Sequence, residues 1–105
     1  MQLAKDILNK AADLIEEKGH CKERFKDDDG KMCMMGAVTE AFISQPFSWN
    51  QEDELASTLW EAVYDEIGHD NLVSTWNDDP ERQPYEVINA LRFAAKRIED
   101  TDAGS

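Results

Sequence analysis

Met32-Cys33-Met34-Met35-Gly36-Ala37-Val38-Thr39-Glu40-Ala41-Phe42-Ile43 is apolar on nearly every side when wound at helical pitch. A helix without a polar face belongs in a protein interior, with other elements packed around it. A short buried strand is the competing reading, but Ala, Met and Glu favour the helix. Gly36 and Ala37 have almost no side chain, so a neighbouring backbone can come close there. The segment, about residues 32–44, is read as the central helix of an all-α fold.

The flanking sequence supports that class. Ala4, Ile7, Leu8, Ala11, Leu14 and Ile15 recur at helical spacing and predict a first helix over residues 2–18, with Gly19 as its C′ residue. Residues 20–31 are polar, and Asp27-Asp28-Asp29-Gly30 reads as a turn. Pro46 ends the central helix. Asn50 is read as the N-cap of the next one, whose buried stripe is Leu55, Leu59, Ala62, Val63 and Ile67, with Trp60 at its edge and Gly68 at its close. A short helical turn carries Leu72, Val73 and Trp76. The last helix starts at Pro84, with Glu86 at its third position and Val87, Ile88, Leu91, Ala94, Ala95 and Ile98 on its core face. Four main helices without β alternation predict a compact bundle.

The chain has 105 residues, enough for one core, so residues 1–100 form a single domain and 101–105 a disordered tail. Three Trp, four Phe and two Tyr supply large anchors. Twenty-three acids against eleven bases give a net charge of −12. Such a surface repels nucleic acid and anionic membranes, because phosphate binding needs Lys and Arg to displace counterions. The expected partner is a protein with a basic surface. No signal peptide and no membrane-length apolar run are evident, and two cysteines without a secretory signal fit free thiols in the cytoplasm.

No residue set carries a reaction. His20, Cys21, Cys33 and His69 have no chelating spacing, so no metal and no cofactor is expected. Cys33, His69 and Asn77 or Asp78 are the residue types of a thiol hydrolase, but a thiol in an apolar run is raised in pKa and inert. Setting Gly30 at position 6 of a calcium loop places Phe25 and Gly36 where carboxylates are required, so that motif fails. Glu54, Glu61 and Asp65 fall on the outer face of the third helix. They form either a solubilising ridge or a carboxylate surface for a basic groove. Trp49, in the loop between helices, and Phe93, off the main stripe, are candidate partner anchors. Phe93, Ala90 and Arg97 form a candidate homodimer contact.

Thr75-Trp76-Asn77-Asp78-Asp79-Pro80-Glu81-Arg82 marks a corner: a large ring beside a polar Asx-rich turn that Pro80 keeps out of the helix. Gly19-His20-Cys21, the block Cys33 to Ala37 and this corner together resemble an uncharacterised family of short actinobacterial and phage proteins, filed as a domain of unknown function. The resemblance runs from Leu3 to Ile98 and rests on a Cys-x-x-Gly-Ala block and a Trp-Asn-Asp block. Two positions depart from it. His20 stands where the family pattern has an aromatic, and Gln83 where it has the Thr of a capping box. The resemblance implies a structural motif of Cys33, Gly36, Trp76, Asn77, Asp78 and Arg82, and no activity.

The expectation is therefore a non-enzymatic interaction protein, a phage accessory protein acting on a host protein. A nucleic-acid mimic built on Glu54, Glu61 and Asp65, and a small enzyme using Cys33, are the alternatives.

Overall fold

The computed structural model describes residues 2–44 and 49–104, with side chains described over 3–44 and 53–98. The helices are α1 (Gln2–Lys18), α2 (Met34–Ile43), α3 (Trp49–Ile67), α4 (Val73–Asp78) and α5 (Pro84–Gly104). No strand is present among the described residues; two isolated bridges pair His20 and Lys26 with Met32. The fold is all-α.

α1 places its whole apolar stripe in the core, and Ala12 widens the buried arc. It stops where Gly19 turns to φ +101° and donates its N–H to the Ile15 carbonyl at 2.8 Å. α1 packs against α5, α2 and α3, whereas α2 packs on α1 and α4. The hub is thus α1, not the methionine-rich helix expected there. Length supplies the reason: at 1.5 Å per residue α2 is about 15 Å long and α1 about 25 Å, so α2 is too short to be flanked on every side.

α2 also has two faces. Met34, Ala37, Val38 and Ala41 are buried, while Thr39 and Ile43 face solvent, Ile43 at 73% exposure. Met32 and Cys33 precede the helix. Cys33 is its N-cap, in extended conformation, and its Sγ accepts the Gly36 N–H at 3.2 Å.

In α3, Leu55, Leu59, Ala62, Val63 and Ile67 are buried and Trp60 is partly so. The α3 backbone is helical from Trp49 itself, so Asn50 lies within the helix rather than capping it, and Trp49 is not a loop residue. Pro46 lies outside the described residues. Gly68, at φ +97°, closes the helix, and the Asn71 side chain donates to the Ile67 carbonyl at 2.6 Å.

α5 begins at Pro84 and buries Val87, Leu91, Ala94, Ala95 and Ile98 against α1 and α3. Its backbone stays helical to Gly104, into the segment read as a tail. Two of its cations are used inside the molecule. Arg92 pairs with Asp13 (2.8 Å) and Glu16 (2.7 Å) of α1, and Arg97 pairs with Glu66 of α3. Exposed pairs of this kind are screened by solvent, so they orient α5 more than they stabilise it.

Candidate functional site

Asn77, in the last turn of α4, is the buried polar side chain of the described residues, at 1% exposure. Its Oδ1 accepts the Met34 N–H at 2.9 Å and lies 2.7 Å from His20 Nε2. An amide oxygen only accepts, so His20 carries a proton on Nε2 and donates it. Asn77 Nδ2 donates to the Cys21 carbonyl (3.2 Å) and to Asp78 Oδ1 (2.9 Å). One amide thereby ties α4 to the loop after α1 and to the first turn of α2. No described buried side-chain polar atom lacks a partner, the condition under which a buried polar network rigidifies rather than destabilises.

The surrounding loop is fastened to the same corner. Asp78 Oδ1 also accepts the Glu23 N–H (2.8 Å), and Lys22 Nζ donates to the Asp79 carbonyl (2.7 Å). Glu23 has φ +68°, a left-handed conformation that costs a non-glycine residue about 1–3 kcal/mol, which these two contacts offset. Asp27 organises the loop tip through Oδ1, which accepts the N–H groups of Asp29 (3.0 Å) and Lys31 (2.9 Å). Deeper in, the Phe25 carbonyl accepts the Cys33 N–H at 3.1 Å and lies directly over Gly36.

Beyond Asn77 the chain turns at Asp79, whose Oδ1 accepts the Glu81 N–H (2.9 Å) and whose carbonyl accepts the Arg82 N–H (2.9 Å). The Arg82 guanidinium centre lies 3.8 Å from the Trp76 ring centroid; its Nε donates to the Trp76 carbonyl (3.0 Å) and its Nη1 to Glu86 Oε2 (2.9 Å). Glu86 Oε1 accepts the Gln83 N–H at 2.9 Å, which is half of a capping box; Gln83 cannot supply the hydroxyl half. Cys33, Gly36, Asn77 and Asp78 lie at the contacts between α2, α4 and the loop, whereas Trp76 and Arg82 meet at the turn from α4 into α5.

Trp76 is half-buried, and the Arg82 guanidinium covers one of its faces. Trp76→Ala is therefore expected to cost about 2 kcal/mol, below the 3–5 kcal/mol of a fully buried ring. Chemical denaturation checks this.

The Gln83 N–H first, then Arg82, hold the Glu86 carboxyl below its ordinary range. A depressed pKa contributes stability above the unfolded-state value and loses it as pH falls through the folded one. Glu86→Gln is expected to flatten the acid limb of stability below about pH 4.5, measured as melting temperature against pH.

The thiol set expected for an enzyme is not assembled. Cys33 is 7% exposed, and burial pushes its thiol up despite the opposing Gly36 N–H. His69 bonds Asp65 at 2.7 Å and stacks on Tyr64, and no hydrogen bond joins it to Cys33. Cys21 is half-buried and free, its thiol raised by burial and then by the neighbouring Cys33.

Glu54, Glu61 and Asp65 are exposed on α3, and Phe93 is 56% exposed on α5. The Trp49 side chain lies outside the described residues. Ala90 faces the core and Arg97 pairs with Glu66, so only Phe93 of the candidate dimer trio stands clear. Sequence reasoning missed the surface of α2. A groove of about 190 Å³ runs between Phe25 (57% exposed) and Ile43, floored by Met32 and Gly36. A second, of similar volume, lies between α2 and α3 over Val38, Phe42 and Trp60, with Asp53 on its wall. A lone Phe in a polar loop was the available signal for the first.

No helix of the described residues is long and apolar enough to cross a membrane. No curated protein and no solved structure matches the chain. One family model does match, over residues 1–97, and it is described as a family of unknown function (DUF6197). With nearly the whole chain inside that match, the protein belongs to this uncharacterised family.

Proposed function

We propose that this is a small non-enzymatic interaction protein whose apolar surface beside α2 receives a protein partner with a basic rim. The carrying observation is the pairing of Phe25 and Ile43, both more than half exposed, on the walls of one groove. Exposed large apolar side chains that line a common concavity mark interaction sites more often than scattered single ones. Glu40 and Asp53 border the two grooves, and the −12 net charge attracts a cationic partner at long range. The resemblance to phage and actinobacterial proteins extends the proposal to a phage accessory protein acting on a host protein in the host cytoplasm.

Affinity capture at physiological salt, comparing the parent protein with Phe25→Asp/Ile43→Asp, tests it. One protein retained by the parent and lost by the variant is the expected outcome. Identical capture by both would remove the groove from consideration.

The exposed carboxylates of α3 support a second reading, mimicry of a nucleic acid toward a DNA- or RNA-handling protein. In that case capture depends on Glu54, Glu61 and Asp65 and survives the groove variant. An enzymatic role for Cys33 predicts rapid iodoacetamide labelling at neutral pH. Its burial predicts the reverse: Cys21 labels first, and Cys33 only on unfolding.

A further inference from the structure

We propose that Glu61, Asp65 and His69 form a surface site for a divalent transition ion of the Zn²⁺, Co²⁺ or Ni²⁺ class, separate from the groove beside α2. One ligand atom from each of the three lies within 4.8 Å of the other two. Metal bonds of about 2.0–2.2 Å place neighbouring ligand atoms within about 4.4 Å of each other, so small rotamer adjustments complete the set.

Four-residue spacing sets Glu61, Asp65 and His69 in one line, although His69 follows the end of α3. Gly68, at φ +97°, turns the chain back and returns the imidazole to the helix it has just left. The ring is then fixed on one side by Tyr64, with centroids 6.0 Å apart and planes 26° from parallel, and on the other by Asp65. His69 Nε2 and Asp65 Oδ1 are 2.7 Å apart, bridged by a proton. An ion entering there displaces that proton and binds both atoms, with Glu61 as third ligand and water filling the open positions. The Glu61 carboxylate makes no hydrogen bond or ion pair with a described residue, and its repulsion of Asp65 at four-residue spacing is relieved by a cation.

Asp70 adds negative potential beside the ring. Arg97 is the opposing cation; it acts on Asp65 from α5 but is bonded to Glu66. The imidazole decides the class of ion, since a nitrogen ligand favours borderline transition metals over Mg²⁺ and Ca²⁺, which take oxygen. The four-residue spacing is present in the sequence, but Gly68 marks a helix stop before His69, so the pattern alone does not place the imidazole beside the two carboxylates.

Titration of the untagged protein with Co²⁺ tests the proposal, read by calorimetry and by paramagnetic broadening of the His69 ring signals. The expected result is one saturable equivalent, unaffected by excess Mg²⁺. His69→Ala and the pair Glu61→Gln/Asp65→Asn should each weaken it by about tenfold or more. All three side chains are exposed, so the variants should keep the parent's circular dichroism spectrum. Cys21→Ser should bind as the parent does. The proposal fails if binding does not saturate by about 1 mM, if it spreads over many surface carboxylates, or if His69→Ala binds unchanged.

Discussion

Asn77→Ala is expected to destabilise the protein by about 4 kcal/mol, a large fraction of the roughly 5–15 kcal/mol that holds a domain folded. The side chain itself is small; the cost lies in what it leaves behind. The Met34 N–H and the Cys21 carbonyl each lose a partner that water cannot readily replace at that depth, and each orphaned backbone group costs about 1–3 kcal/mol. His20 Nε2 loses its acceptor as well. A fall in melting temperature of about 15–25 °C corresponds to this loss. Asn77→Asp supplies the diagnostic companion. It keeps an acceptor for Met34, removes the donor to Cys21, and sets a carboxylate against Asp78. Its instability should therefore deepen as pH rises through the carboxylate range. Thermal midpoints for Asn77→Ala within a few degrees of the parent would mean that the loop re-pairs its own amides, and that Asn77 is not the tie.

Gly36→Ala carries the second large effect, and two opposing contributions decide its sign. Helix propensity favours alanine over glycine by about 1 kcal/mol in a helix interior. Against this, a Cβ at position 36 would lie 2.2 Å from the Phe25 carbonyl oxygen and 2.8 Å from its carbon. Those atoms are backbone, and the same oxygen accepts the Cys33 N–H, so the loop can retreat only by giving up that bond. Overpacking of this kind costs typically 1–3 kcal/mol and more when the neighbour is rigid. A net loss of about 3 kcal/mol is expected by urea denaturation. Stabilisation by about 1 kcal/mol would instead show that residues 20–33 yield freely, and that propensity wins. Because Phe25 also walls the groove beside α2, a Gly36→Ala protein that still folds should show altered partner capture.

Much of this was legible in the residues. The stripe of α1 and its stop at Gly19, the buried face of α3, the start of α5 at Pro84 and the short α4 all follow from periodicity and punctuation, which act over a few residues. The Asn-Asp-Asp-Pro corner was legible as a corner for the same reason. What Asn77 bonds was not. Three of its four partners lie 43, 56 and 57 residues away, and no local rule reaches that far.

The candidate surfaces divide in the same way. That Glu54, Glu61 and Asp65 face outward is a matter of helical spacing. The groove between Phe25 and Ile43 is not, because it joins a loop residue to a helix end across a chain reversal. Composition and periodicity settled helical class and net charge and placed most helices, since each is a sum over near neighbours. Which helix lies at the centre and which apolar side chains are left outside depended on how five short cylinders share one core. α2 is too short to be surrounded, so α1 took the central place and left an apolar edge of α2 facing solvent.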